Sequence, residues 1–209
     1  MAATVKRIGI IGAGRVGTAL ARGLAAAGHE VSLGTARPDG ESARAAVAAQ
    51  PAITLASRAR ASRDAHVVVL AVPAAAVAAT AAEIGPLPGV VVVDATNAVA
   101  TAPPAPFTTQ GAFVASLFPD AAVVKAFNTI GAEHLEGGSF GSARPVLPIA
   151  GDDAGRSVVA ALAADLGFEV ADLGGSEAVA IVENFASLWI WLAFRRGWGR
   201  DFAFAVIRR

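Results

Sequence analysis

The chain has 209 residues, 55% of them hydrophobic, a size that suits one α/β domain with a small extension. Seventeen Lys and Arg balance seventeen Asp and Glu, and this neutrality excludes the broad electrostatic attraction that drives binding to nucleic acid or an anionic membrane. There is no cysteine, which excludes disulfides, thiolate catalysis and cysteine-ligated zinc.

Val5–Ile11 reads as a buried parallel strand, entered within a few residues of the start, so no signal peptide is expected. It runs straight into G-A-G-R-V-G at 12–17, and Arg15–Ala27 reads as an alanine- and leucine-rich helix closed by Gly28. A G-x-G-x-x-G between a strand and a helix is a dinucleotide-binding signature rather than an incidental glycine turn. Gly12 permits the sharp turn, Gly14 lets backbone approach a pyrophosphate, and Gly17 lets the helix pack on the strand. The helix start adds unpaired N–H groups and a partial positive charge.

The second strand, Glu30–Leu33, ends in Gly34-Thr35-Ala36-Arg37-Pro38. An acidic residue at this tip would hold the ribose hydroxyls of NAD, and none is there. Thr35 offers a hydroxyl and Arg37 a planar fork suited to a phosphate dianion, which favours NADP. Asp39 falls beyond Pro38, too late to hold the ribose.

Ile53–Leu55 predicts a short strand and the polar stretch to Asp64 a helix; Val67–Val72 is a strong strand ending at Pro73, and Ala74–Ile84 is helical. Val90–Asp94 is the next strand, 95–109 a loop rich in Pro and Thr, Gly111–Leu117 a short helix and Ala122–Phe127 a strand. Pro145–Ala150 and Phe168–Asp172 predict strands around a helix at Asp152–Leu166, capped by Asp152 or Asp153. Glu177–Arg196 is a long helix with Ile181, Phe185, Leu188, Trp189 and Leu192 at helical spacing and Trp191 off that stripe. Its longest apolar run, Ala186–Phe194, falls short of the roughly 20 residues of a membrane span. Asp201–Ile207 suits a short terminal helix or strand. The alternation predicts a Rossmann-type doubly wound, mostly parallel sheet with a small C-terminal helical lobe. The division expected is a dinucleotide-binding domain at 1–144, then a lobe at 145–209 that completes the sheet and the substrate or dimer face.

Ligands of open α/β sheets bind at the carboxyl ends of the strands. Val72 and Pro73 are placed to flank the cofactor, while Thr96, Asn97, Asn128 and Thr129 offer neutral donors and acceptors for a carboxamide or planar polar ligand. Lys125, inside a strand, is expected to face solvent. His29 and His66 read as structural and His134 as a surface-loop residue, and the three have no metal-ligand spacing. Arg195, Arg196 and Arg200 read as a solvated helix end.

These blocks carry a resemblance. I-G-I-I-G-A-G-R-V-G-T-A-L-A at the start, V-L-A-V-P at 69–73, V-V-D-A-T-N at 92–97, V-K-A-F-N-T-I at 124–130, P-I-A-G-D-D at 148–153, L-G-F-E-V-A-D-L-G at 166–174 and I-V-E-N at 181–184 follow one order. That order resembles the NADPH-dependent coenzyme F420 reductases, and also the cytosolic reductase domain of the six-transmembrane metalloreductases. The resemblance implies a usually dimeric cytoplasmic enzyme, with NADP(H) along the strand ends and a deazaflavin (coenzyme F420) or flavin stacked on its nicotinamide. It implies that Gly12, Ala13, Gly14, Arg15, Val16 and Gly17 hold the pyrophosphate, and Thr35 with Arg37 the 2′-phosphate. Val72 and Pro73 would contact the cofactor, with Asn97, Asn128, Thr129 and Ile130 near the nicotinamide. One departure stands out: relatives commonly place arginine directly after the Ser or Thr of the second turn, where this chain has Ala36 before Arg37.

The expected function is hydride transfer between NADP(H) and a deazaflavin or flavin acceptor, with small-molecule cofactors as partners, neither nucleic acid nor membrane, and a homodimer formed through the C-terminal helix. Two stacked heterocycles need alignment more than acid–base help. A reductase of a small carbonyl or imine, or a non-catalytic NADP(H)-binding module, are the other readings.

Overall fold

The computed structural model describes residues 5–99, 101–137 and 140–208. Eight strands form one sheet in the order β3-β2-β1-β4-β5-β6-β7-β8: β1 Arg7–Ile11, β2 Glu30–Gly34, β3 Thr54–Ala56, β4 Val67–Leu70, β5 Val91–Asp94, β6 Ala122–Lys125, β7 Val146–Gly151 and β8 Glu169–Asp172. All neighbours run parallel except β6 and β7, which are antiparallel. The sheet is the doubly wound, mostly parallel one that the alternation predicts.

Strand burial explains the continuous apolar runs. Val67 and Val69 of β4 face one core with β1, helix α1 (Arg15–Ala26) and helix α6 (Asp153–Asp165), while Val68 and Leu70 face a second core. That second core is covered by α3 (Arg58–Arg63), α4 (Val77–Ile84) and α5 (Gln110–Leu117). A strand buried on both faces has no polar side to show, so it loses the alternation that marks an exposed sheet. Asp152 caps α6, its side chain accepting from the Ala154 N–H at 2.9 Å.

Helix α2 (Glu41–Ala49) fills a stretch for which the sequence predicts no element. The C-terminal helix is continuous from a short 3₁₀ turn at Ser176–Ala178 through α7 (Val179–Ile190) to a π-helical turn at Trp191–Arg195. At 20 residues and a mean hydropathy of 1.4, Ser176–Arg195 is long and apolar enough to cross a membrane by length and composition, which the shorter run at 186–194 does not suggest. Its inner face packs Val179 and Val182 against β7. Ile181, Leu188 and Trp191 lie on the outside, so the stripe read from spacing is split between two faces.

Residues 201–207 form neither a helix nor a strand. Gly197 and Gly199, both at positive φ, turn the chain back. Phe202 then stacks on Trp189 at 5.2 Å and Phe204 packs on Phe185, tied by bonds from the Val146 N–H to the Phe204 carbonyl and from Trp189 Nε1 to the Phe202 carbonyl.

Candidate active site

The glycine turn sits between β1 and α1. Gly12 has φ +121° and donates its N–H to the Gly34 carbonyl at 2.8 Å, and a Cβ there would lie 2.4 Å from the Ala71 carbonyl oxygen. A Cβ on Gly17 would lie 1.8 Å from the Gly12 carbonyl oxygen, so helix and turn touch through bare backbone. Gly14 is different: a Cβ would meet nothing within 4 Å. No side chain caps α1, no acidic residue sits in its first turn, and intrahelical bonding begins with the Thr18 N–H on the Gly14 carbonyl. The N–H groups between Gly12 and Thr18 therefore precede the first intrahelical bond, beside the open space at Gly14 and with a helix dipole behind them. Space, donors and field all fit a pyrophosphate.

At the end of β2 the Thr35 hydroxyl accepts from the Arg37 N–H at 3.1 Å, which sets the turn. A cavity of about 210 Å³ opens beside it, lined by Ala13, Thr35, Arg37, Ser42 and Glu41 among others. Ala13 links this cavity to the glycine turn. Ser42 and Glu41 come from the start of α2 and are absent from the sequence reading. The available signal was Gly40, the N-cap that precedes E-S-A-R. Glu41 thus lines the same cavity as Arg37.

At the far end of the same sheet edge, Asn97 and Asn128 are joined twice. Asn97 Nδ2 donates to the Asn128 carbonyl at 2.8 Å, and Asn128 Nδ2 donates to Asn97 Oδ1 at 3.2 Å. The turn that presents Asn128 is forced by Phe127, which is buried at φ +59° with its ring edge-on to Phe168. That conformation costs a non-glycine residue about 1–2 kcal/mol and persists only where packing holds it. Asn128 and Thr129 are 5% and 3% exposed, and Asn128 Oδ1 and Thr129 Oγ1 have no partner among the described residues. Buried polar atoms are nearly always paired, so two unpaired ones on one turn mark a place for a ligand's polar groups. Ile130 is buried beside them and Val72 behind Gly12, while Pro73 is exposed at the end of β4.

Lys125 does not face solvent; it is 1% exposed. Its ammonium donates to Asp94 Oδ2 at 2.8 Å and to the Thr96 carbonyl at 2.7 Å, and lies 3.5 Å from Glu183 Oε1. α7 covers the face toward which Lys125 points, and β-strand alternation alone does not reveal such a cover.

His29 is buried between the Lys6 N–H and Asp165, and His66 accepts from the Arg7 N–H, both structural. His134 packs on Phe140 with Nε2 3.3 Å from Asp201. Arg200 is not a solvated helix end: it pairs with both oxygens of Glu133, at 2.7 and 3.0 Å. Those bonds hold the Glu133 carboxyl below its ordinary value.

Residues 7–98 match the family described as NADP oxidoreductase, coenzyme F420-dependent. Among solved structures, a candidate F420-dependent NADP-reductase from Arthrobacter sp. FB24 is 30% identical, the match covering 97% of this chain and 100% of that one at a TM-score of 0.81. A hypothetical protein from Sinorhizobium meliloti is 28% identical over 97% of this chain and 95% of its own, with a TM-score of 0.76. An imine reductase from Pseudomonas sp. shares the fold alone: 16% identity, TM-score 0.68, and 93% of this chain against 64% of that one. No curated protein sequence matches the chain. With the glycine turn and a relative 30% identical over 97% of the chain in agreement, the chain belongs to the family of coenzyme F420-dependent NADP oxidoreductases.

Proposed function

We propose that this oxidoreductase passes a hydride between NADP(H) and a deazaflavin of the coenzyme F420 type, or a flavin-type acceptor. The observation that carries the reading is the chemistry of the Asn97–Asn128 turn. Two of its polar atoms, Asn128 Oδ1 and Thr129 Oγ1, are buried and unpaired among the described residues, and belong to an amide and a hydroxyl. Such groups can hold a carboxamide in one orientation but supply no proton at neutral pH. Hydride transfer between two stacked rings asks for alignment at roughly 3–3.5 Å and little else. The full-length likeness to the Arthrobacter protein supports the same acceptor class.

In this reading the Gly12–Gly17 turn binds the pyrophosphate through the N–H groups that follow Gly12, whose own N–H is held by the Gly34 carbonyl, with Ala13, Arg15 and Val16 shaping the cradle. Thr35 and Arg37 bind the 2′-phosphate, Val72 and Pro73 flank the nucleotide, and Asn97 steadies Asn128 while Asn128, Thr129 and Ile130 orient the nicotinamide. NADP(H) supplies the hydride. We assign residues 1–144 to this nucleotide site and 145–209 to the acceptor and dimer face, in a cytoplasmic homodimer. What supports the dimer is the outer face of the C-terminal helix, where Ile181, Leu188, Trp191 and Phe194 are between 47% and 59% exposed.

The test mixes the protein and NADPH with F420, FMN, FAD and a panel of ketones and imines, and follows loss of nicotinamide absorbance. Oxidation by F420 or a flavin well ahead of the panel is expected. Oxidation by the carbonyl and imine panel alone would overturn the acceptor class, and tight NADPH binding without any turnover would make the protein a binding module.

A further inference from the structure

A buried charge network joins the C-terminal helix to the nicotinamide end of the site. Asp94 and Lys125 are directly paired neighbours at the ends of β5 and β6. Asp94 Oδ1 accepts from the Thr96 N–H at 2.9 Å and the Thr96 hydroxyl at 2.7 Å, while its Oδ2 takes the Lys125 ammonium. Lys125 also holds the Thr96 carbonyl, so both backbone groups of the residue before Asn97 are fixed. From the other side, Glu183 of α7 places Oε1 near Lys125 and accepts from the Gly111 and Gln110 N–H groups at 2.9 and 3.2 Å. One carboxylate therefore caps α5 and faces the ammonium that sets the Asp94–Asn97 turn. Close packing leaves it little alternative: a Cβ on Gly111 would lie 2.7 Å from Val179 Cγ1.

We propose that Lys125 and Glu183 are positioning residues for the nicotinamide: they hold the Thr96–Asn97 turn, and through Asn97 the Asn128 amide, in register with the cofactor. This rests on the proposed placement of the nicotinamide at Asn128. Buried networks of this kind act as a unit, because removing one member leaves the others unpaired in a medium of low dielectric. A small displacement of a turn that aligns reacting rings can cost up to a hundredfold in rate. The adenosine end, built from residues 12–43, shares no member of the network.

The experiment compares wild type, Glu183→Gln and Asn128→Ala for binding of NADPH and of adenosine 2′,5′-bisphosphate, which carries the adenosine end alone, and for kcat with the best acceptor. Glu183→Gln is expected to lower NADPH affinity or kcat about tenfold or more and to leave bisphosphate affinity within about twofold. Glu183→Asp, which keeps the charge and shortens the reach, is expected to behave likewise and carries the test if Glu183→Gln does not fold. Equal loss of both ligands would show general loosening and overturn the inference. So would unchanged NADPH binding and kcat in a protein whose Asn128→Ala variant is impaired. If Asn128→Ala is itself unimpaired, the placement of the nicotinamide falls, and the inference with it.

Discussion

Gly14→Ala separates what the glycine turn does for the ligand from what it does for the fold. Gly14 has φ −83° and ψ −175°, an extended conformation that any residue adopts, and its added Cβ would touch nothing within 4 Å. Alanine is a poorer N-cap than glycine by up to ~1 kcal/mol, and its lower freedom in the unfolded chain returns about 0.4–1 kcal/mol. The net change is near zero, so Tm should stay within about 4 °C of wild type. For the ligand the same methyl stands where the proposed pyrophosphate site is approached. Losing one charge-assisted hydrogen bond, roughly 1.5–3 kcal/mol, lowers NADPH affinity about 10- to 150-fold. Gly17→Ala gives the opposite pattern, because its Cβ would lie 1.8 Å from the Gly12 carbonyl oxygen. Overpacking against backbone costs about 3 kcal/mol, or roughly 6–12 °C in Tm. Calorimetric titration with NADPH beside a thermal melt reads both quantities. Native NADPH affinity in Gly14→Ala would show that the pyrophosphate does not pass over this residue, and a collapsed Tm would show that its openness is not what the structure indicates.

Arg37→Ala is expected to raise the KM for NADPH about tenfold and leave that for NADH unchanged, since the proposed partner of the exposed guanidinium is the 2′-phosphate that NADH lacks; steady-state kinetics with both nucleotides decide this, and equal changes would remove Arg37 from the site. Leu188→Asp combined with Trp191→Glu places two charges on the outer face of α7 and should convert a dimer to monomer in sedimentation without lowering Tm. A wild type that sediments as a monomer at micromolar concentration contradicts that interface. Acidification should loosen the C-terminal segment at Arg200. Because Arg200 lowers the Glu133 carboxyl, their pairing contributes stability above the ordinary carboxylate range and loses it as pH falls through the lowered value. Arg200 lies 5.9 Å from the Trp189 ring, so tryptophan fluorescence should show an acid step that Glu133→Gln lacks. An identical profile in the variant would place the transition elsewhere.

Much of the fold is legible because its signals are local. The run Val67–Leu70 is apolar on both faces because helices cover both, and the glycine turn announces itself through contacts a side chain would forbid. Helix α2 is hard to read because only Ala43 and Ala46 of its residues are buried, and a stripe of two alanines gives little periodicity. The antiparallel setting of β7 is invisible because apolar alternation carries no direction. In the tail, Phe202 and Phe204 alternate as a strand would, yet they are spent on aromatic contacts with Trp189 and Phe185. Lys125 is the instructive case within the site. Asp94 lies on another strand and Glu183 on another helix, so no spacing rule connects them to it, and a lysine in a strand most simply faces water. Asn97 and Asn128 were visible as polar residues at strand ends, but their reciprocal pairing depends on the positive φ of Phe127, which nothing short of the fold reveals.

The chain emerges from the ribosome with its nucleotide grip first and its alignment device last. Domains generally fold as they are synthesised, amino end leading. The pyrophosphate turn and the Thr35–Arg37 tip are complete once residue 43 and the strands beside them are in place, whereas the Asn97 turn waits for Glu183. On the proposed placement of NADPH, a nascent or truncated chain ending before α7 would hold the adenosine end while leaving the nicotinamide unaligned. On that proposal the order of synthesis delays competence for hydride transfer until the helix that carries the outer apolar face has docked.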